Sequence, residues 1–182
     1  SRGLGDVYKR QGEGGTGAAK CGGNYAASMI AQTEGEKHGC KQVIFKDPHR
    51  GDAIEELGGM NVFFIFGKEN KIVTPELTGT ILEGVTRSSL IQLAKDRGMT
   101  VEERAITLNE WREGVANGDI TEIFACGTAA VVAPIGKLKA EDFEIPAPTE
   151  HFGEISKSLR EELVGIQLGT VEDRHGWMTR LI

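Results

Sequence analysis

The sequence predicts a mixed-sheet α/β domain, and three observations support this. Segments with helical and with strand patterning alternate along the 182 residues. Residues 61–66 (NVFFIF) are too uniformly apolar to have a solvated face and are predicted to form a buried strand. A four-residue loop (GKEN) joins them to residues 71–74 (KIVT), which predicts a hairpin and therefore a sheet that is not purely parallel.

Four segments have the apolar periodicity of helices: residues 24–38, 86–97, 109–117 and 156–167. In the first, Met29 and Ile30 belong to the predicted apolar face. Thr86 is predicted to cap the second helix, and Gly98 to end it. These helices are expected to flank the sheet.

Less regular patterns predict three further strands: residues 42–45, 100–106 and 123–135. The second is expected at an edge of the sheet. Gly127 and Pro134 interrupt the third, which indicates a special backbone site. Residues 137–148 are polar and contain prolines, so a loop is expected there.

Composition argues against several classes of function. Lys and Arg number 21 against 27 Asp and Glu, so the net charge of −6 provides no positive field for nucleic acid. No apolar stretch reaches the ~18 residues that cross a bilayer, so no membrane association is expected. Three separated cysteines without a C-x-x-C pair fit a reducing cytosol, and four scattered histidines predict no metal site.

Residues 1–11 (SRGLGDVYKRQ) have neither helical nor strand periodicity and are predicted to be a non-native or artefactual leader. Residues 12–182 then have the size of one domain.

Residues 12–17 (GEGGTG) satisfy the dinucleotide-binding pattern, but their context does not. That fingerprint lies between a strand and a helix, whereas an aperiodic segment precedes it here, and Gly22 and Gly23 are expected to break the segment after it. Cys21 rather than Ser or Thr comes after Lys20, which argues against a P-loop. Lys20 is then either a solvated surface lysine or, among glycines that admit a ligand closely, an amine able to form a Schiff base.

Three other sites have a functional and an ordinary interpretation. Residues 82–87 (LEGVTR) place a glycine before a helix start, which suits either a phosphate or an N-cap. Residues 126–130 (CGTAA) could offer amides to an anion or form a β-bulge. Glu56 precedes the most apolar strand and would need a partner such as a cationic ring nitrogen, unless Glu55 and Glu56 are a solvated loop pair.

Four segments together resemble the branched-chain amino acid aminotransferases: residues 14–28 (GGTGAAKCGGNYAAS), 56–63 (ELGGMNVF), 82–87 and 127–134 (GTAAVVAP). The likeness extends from Gly14 to residues 173–177 (DRHGW). It implies pyridoxal-phosphate fold type IV, with a barrel-like mixed sheet and flanking helices. Residues 12–182 would be the C-terminal cofactor-binding domain, with the N-terminal small domain missing.

The resemblance also implies a role for each matching residue. Lys20 would hold pyridoxal 5′-phosphate as a Schiff base and move the substrate proton. Tyr25 would hydrogen-bond the cofactor's phenolic oxygen, and Glu56 would pair with its pyridine nitrogen. The other matches are Leu82 against the ring, Val85, Thr86 and Thr128 at the phosphate, and Gly59, Thr128 and Ala129 at the substrate.

The implied activity is transfer of the amino group between leucine, isoleucine or valine and 2-oxoglutarate, by a cytoplasmic homodimer. D-amino acid aminotransferases and aminodeoxychorismate lyases share the fold and are the enzymatic alternatives. A fragment that binds pyridoxal phosphate without turnover is the non-catalytic one.

Overall fold

The computed structural model describes residues 14–47, 50–149 and 151–181; the predicted leader and Gly12 lie outside these ranges. The elements in chain order are α1 (Gly22–Lys37), β1 (Ile44–Lys46), β2 (Ile54–Leu57), β3 (Asn61–Phe66), β4 (Lys71–Thr74), α2 (Val85–Asp96), β5 (Thr100–Glu103), α3 (Leu108–Ala116), β6 (Ile120–Gly127), β7 (Val131–Pro134), β8 (Lys137–Lys139), β9 (Glu144–Pro146) and α4 (Glu154–Gln167).

The central feature is a five-stranded sheet in the order β5-β4-β3-β6-β7. β3 runs antiparallel to both of its neighbours, β4 and β6, whereas β4 and β5 are parallel. Two antiparallel pairs, β1–β2 and β8–β9, accompany this sheet. The predicted mixed sheet, the hairpin after β3 and the edge position of β5 are therefore confirmed.

The side chains of β3 alternate between two apolar layers, as the pleat of a strand requires. On one face Phe63 stacks on Phe124 of β6 at 5.1 Å between ring centroids, beneath α2 and α4. On the other face Phe64 meets Trp111 of α3 edge-on, also at 5.1 Å. Burial of each such ring stabilises the fold by about 1.5–3 kcal/mol, so this strand is the rigid centre on which the surrounding loops are held.

The apolar face predicted for α1 is wrong. Met29 and Ile30 are 67% and 59% exposed, whereas Asn24, Ser28 and Ala31 are buried. Their spacing of four and three residues lies along one side of a helix, so α1 turns a mostly polar side inward.

Other differences concern strands with charged residues. β2 contains Glu55 and Glu56 and was not predicted, and residues 137–148, predicted to be a loop, contain the β8–β9 hairpin. The predicted strand at residues 123–135 is two strands, β6 and β7, joined by a turn. α2 ends as predicted, with Gly98 at φ 71°.

In the described ranges, no helix has the length and apolar character needed to cross a membrane.

Candidate active site

The predicted site residues lie at one end of the central sheet. β3 begins there at Asn61, and its antiparallel neighbours β4 and β6 end there. α2 comes after β4 and leads to the parallel strand β5, so α2 starts at this same end. β4, α2 and the parallel strand β5 form a βαβ unit, and in such units ligands bind beyond the carboxyl ends of the strands, next to the helix start.

The start of α2 is built to leave its amides available. Its N-cap is Gly84, with φ −68° and ψ 129°, and within the described residues no side chain caps it. The prediction that Thr86 caps this helix is therefore wrong, because Thr86 lies in the first turn. The N–H groups at Val85 and Thr86 have no partner within a helix of this kind, and the positive end of the helix dipole adds to their attraction for an anion.

Asn61 holds the segment that leads into α2. Its Nδ2 donates to the main-chain oxygen of Leu82 at 3.1 Å. A Cβ atom on Gly84 would lie only 2.3 Å from Asn61 Oδ1, so a glycine is required for this approach. Leu82 and the start of α2 are thus fixed to the first residue of β3.

Arg87 ties the first turn of α2 to the residue after β4 and to the end of β5. It is 3% exposed, and its Nη2 donates to Pro75 O at 2.9 Å and to Glu103 Oε2 at 2.8 Å. Burial raises the pKa of the nearby Cys126 thiol to about 12, and the charge of Arg87 opposes that shift. A buried positive charge therefore lies close to the helix start proposed to take an anion.

Lys20 is exposed on the segment that precedes α1. A Cβ atom on Gly17 would lie 2.3 Å from Thr80 O, and Ala18 N donates to Gly79 O at 3.1 Å. These contacts place the lysine segment against residues 78–80, a few residues ahead of Leu82.

The glycines at positions 22 and 23 form the first turn of α1 and do not break the segment, which corrects the sequence prediction. Tyr25 is half-buried in the same turn, and its main-chain oxygen accepts a hydrogen bond from Ser28 Oγ at 2.8 Å.

Glu55 and Glu56 are 5% and 2% exposed on β2, so the solvated loop pair is wrong. Glu55 accepts a hydrogen bond from Thr80 Oγ1, and the hydroxyls of Thr78 and Thr80 lie 2.7 Å apart. Since adjacent residues of a strand face opposite ways, Glu56 lies on the other side of β2. β2 therefore carries a second link to residues 78–80.

Gly58 and Gly59 form the turn between β2 and β3, closed by Leu57 N donating to Met60 O at 2.9 Å. The end of β6 packs on this turn: a Cβ atom on Gly127 would lie 3.5 Å from Gly59 O. The substrate positions predicted at Gly59 and after Gly127 are therefore neighbours.

Thr128 and Ala129 are exposed in the turn between β6 and β7. Gly127 pairs with Val131 with no register shift between the two strands, so the β-bulge is wrong. Val131 has φ 57°, a left-handed conformation that a β-branched residue adopts at a cost of about 1–3 kcal/mol. Such strain is typical of turns held in shape for binding.

A surface depression of about 340 Å³ lies elsewhere, at the end of β3 marked by Phe66. None of the predicted site residues lines it, so it is unrelated to the arrangement described above.

Several residues that hold the site were not predicted: Asn24, Asn61, Gly17, Thr80 and Arg87. Asn61, Gly17, Thr80 and Arg87 act by contact with segments distant in sequence, whereas Asn24 contacts residues five and eight positions before it. Only the glycine and asparagine content around Lys20 could have drawn attention to any of them.

The family described as Amino-transferase class IV matches residues 8–138. The branched-chain-amino-acid aminotransferase of Mycolicibacterium smegmatis is 51% identical over 180 residues, which cover 98% of this chain and 49% of that protein. A probable branched-chain-amino-acid aminotransferase of Staphylococcus aureus is 48% identical over 172 residues, or 94% of this chain and 48% of that protein. The chain thus spans about half the length of the curated relatives it matches.

Solved structures give the same result. A branched-chain amino acid aminotransferase of Escherichia coli superposes with a TM-score of 0.80 at 28% identity, covering 95% of this chain and 53% of that one. The PLP form of the Thermobaculum terrenum enzyme gives 0.77 at 29% identity, covering 94% of this chain and 52% of that one. The mixed sheet with flanking helices is that of the fold type IV enzymes, and the chain belongs to the class IV aminotransferase family.

Proposed function

We propose that this chain is the cofactor-binding part of a branched-chain amino acid transaminase, which exchanges the amino group of leucine, isoleucine or valine with 2-oxoglutarate. The observation that carries the proposal is the meeting, at one end of the sheet, of the lysine segment, strand β2 through Glu55, and the segment that leads into α2. Relatives with that name at about 50% identity support the choice of substrates.

The residues at this end fit pyridoxal 5′-phosphate group by group. The start of α2, with no side-chain cap among the described residues, suits a phosphate. The buried carboxylate of Glu56 suits a protonated ring nitrogen, and the exposed amine of Lys20 suits the aldehyde. We propose as its ligands Lys20, Tyr25, Glu56, Leu82, Val85, Thr86 and Thr128.

When bound, the cofactor supplies an electron sink for the substrate's α-carbon. Glu56 keeps the proton on the ring nitrogen. Lys20 Nζ would take the proton from the substrate's α-carbon and deliver it to the cofactor carbon C4′. The amides of Thr128 and Ala129, with Gly59 beside them, orient the substrate carboxylate.

The proposal extends to the whole protein. Residues 12–182 would belong to the C-terminal domain, which an N-terminal small domain would complete. The enzyme would act in the cytoplasm as a homodimer on amino acids and 2-oxo acids, without nucleic acid or membrane partners.

The exposure of Lys20, Thr128 and Ala129 supports a second candidate, in which the chain by itself binds the cofactor without turnover.

Both candidates are tested by fusing residues 12–182 behind the N-terminal half of the Mycolicibacterium smegmatis relative. We expect the fusion to transaminate leucine, isoleucine and valine with 2-oxoglutarate and to prefer them to D-alanine, and the 182-residue chain to show far less turnover. Lys20→Ala in the fusion is the matched control. Preference for D-alanine, or pyruvate release from aminodeoxychorismate, would contradict the proposal and favour another member of the fold.

A further inference from the structure

The segment that carries Lys20 is held by a side chain to which the proposed function gives no role. Asn24 is 0% exposed, although Lys20, four residues earlier, is exposed. A fully buried amide is costly unless its hydrogen bonds are made, so its surroundings indicate what it does.

The side-chain amide of Asn24 bridges the two ends of residues 16–19, on the buried side of the segment. Its Nδ2 donates to Thr16 O at 2.7 Å and to Ala19 O at 2.8 Å, and its Oδ1 accepts from Thr16 Oγ1 at 2.7 Å. Nδ2 uses both of its hydrogens on carbonyl oxygens, which fixes which end of the amide is nitrogen. The chain is thus tied down at Ala19, the residue directly before Lys20.

Only asparagine satisfies this set of partners. Aspartate has the same shape but would place an oxygen against two carbonyl oxygens, at distances at which it repels them. Alanine would leave the carbonyls of Thr16 and Ala19 without this donor.

The outer side of the segment is held independently, where Gly17 and Ala18 lie against residues 79–80. Asn24 acts from the other side, out of the first turn of α1. Lys20 is exposed between these two supports, as are its neighbours Ala18 and Ala19.

We propose that Asn24 is a positioning residue for Lys20: it fixes the main chain at Ala19 so that Lys20 Nζ stays within reach of the cofactor's aldehyde carbon. This inference rests on the proposed function. Asn24 has no contact with the cofactor in this proposal. It therefore affects how readily Lys20 reaches the aldehyde, but not how tightly the start of α2 binds the phosphate.

The test uses the whole 182-residue chain and four variants. Asn24→Asp removes the donor and keeps the shape, and Thr16→Val removes the hydroxyl that faces Asn24, which Thr16→Ser restores. Gln32→Glu is the matched control, because it makes the same amide-to-acid change on α1 at a side chain that donates to Lys41 O at 2.8 Å, away from the lysine segment.

Two ligands separate positioning from general damage. Pyridoxal 5′-phosphate measures how well the Lys20 amine reaches the aldehyde. The readout is the yield of the borohydride-reducible link at Lys20, mapped by mass spectrometry. Pyridoxine 5′-phosphate has an alcohol in place of the aldehyde, cannot form the link, and reports the phosphate site alone. Hydrogen exchange at the amides of Ala19 and Cys21 reports the segment without any ligand.

In Asn24→Asp we expect the equilibrium constant for the link to fall by about tenfold to a hundredfold, because a misplaced amine loses its alignment. The affinity for pyridoxine 5′-phosphate should stay unchanged, and the two amides should exchange faster. Thr16→Val should also lower the equilibrium constant for the link and speed the exchange of the two amides. Thr16→Ser and Gln32→Glu should match the parent in both measurements.

A link as strong in Asn24→Asp as in the parent would overturn the inference, as would an equal loss for both ligands. A parent chain that forms no link at Lys20 would instead contradict the proposed function. Amide exchange then decides whether Asn24 holds the segment, and an unchanged rate in Asn24→Asp would overturn that as well.

Discussion

Asn61 Nδ2 donates to Leu82 O at 3.1 Å, which joins the first residue of the most buried strand to the segment that opens α2. The position of the proposed phosphate site is therefore set by the core, through one amide. Gly84 allows this approach, since a Cβ atom there would lie 2.3 Å from Asn61 Oδ1.

Gly84→Ala should weaken phosphate binding because Asn61 and the start of α2 must move apart. We expect the affinity for pyridoxine 5′-phosphate, measured by calorimetry, to fall by about tenfold or more, since helix-start amides act only at hydrogen-bond distance. Gly136→Ala is the control, because no described atom lies within 4 Å of its added Cβ. Equal affinities in the two variants would show that Asn61 does not set this site.

Glu56→Gln should slow the chemical step and leave the cofactor bound. The amide keeps the shape of the side chain but cannot hold a proton on the ring nitrogen, so we expect kcat of the fusion with leucine to fall by roughly 10² to 10³. Single-turnover rates with leucine measure this directly. Glu141→Gln, at an exposed carboxylate, should behave as the parent. A Glu56→Gln variant as fast as the parent would remove Glu56 from the mechanism.

Cys21 and Cys126 should react with iodoacetamide at very different rates. The Thr16 hydroxyl, 3.5 Å from Cys21 Sγ, lowers the pKa of that thiol, whereas burial raises the pKa of Cys126 to about 12. Near pH 8 the thiolate fraction should differ by on the order of a thousandfold or more, so Cys21 should be alkylated first and Cys126 only on unfolding. Mass spectrometry over time provides the measurement, and early labelling of Cys126 would contradict the packing of β6.

The C-terminal segment should loosen in acid. Main-chain N–H groups, first that of Met178 at 2.7 Å, hold the pKa of Asp173 below its ordinary value. A lowered pKa means that the carboxylate stabilises the fold fully above about pH 4 and loses this effect as the pH falls through the lowered value. The contact of His175 with Asp96, at 2.7 Å, lowers the pKa of Asp96 and acts in the same direction.

The indole NMR signal of Trp177, which stacks on His175, should therefore shift in acid before that of the buried Trp111. Asp173→Asn should show the shifted Trp177 signal at neutral pH. A Trp177 signal that changes only together with that of Trp111 would show that the segment does not open separately.

The parts of the fold that were predictable from sequence are those in which the spacing of apolar residues indicates which positions are buried. β3 and α2 are of this kind, because their inward positions are occupied by Val, Ile, Leu and Phe. β2 was missed because its buried centre consists of two carboxylates, whose partners come from distant segments such as Thr80. β8 and β9 were missed because lysine and glutamate alternate there with only two buried or half-buried apolar residues.

The candidate site was singled out for a different reason. An amine among glycines at Lys20, a carboxylate before a buried strand at Glu56 and a glycine before the helix α2 each allowed a functional and an ordinary interpretation, and the resemblance to a family supplied the roles now proposed for them. The residues that hold them, Asn24 and Asn61, are ordinary polar residues in the sequence. The role of Asn61 depends on the carbonyl oxygen of Leu82, 21 residues away, which only the fold brings to it. The partners of Asn24 are five and eight residues away, but the turn that brings their carbonyl oxygens to it has no distinctive sequence pattern.

Lys20 is proposed as the residue to which pyridoxal phosphate binds covalently. The most direct test of this proposal is borohydride reduction of the 182-residue chain and of the fusion after incubation with pyridoxal 5′-phosphate, and then peptide mapping. We expect one major adduct, at Lys20, and its loss in Lys20→Ala. Lys41→Ala, at an exposed lysine beyond α1, should keep the adduct. A reducible adduct of undiminished yield in Lys20→Ala, at another lysine, would contradict the claim.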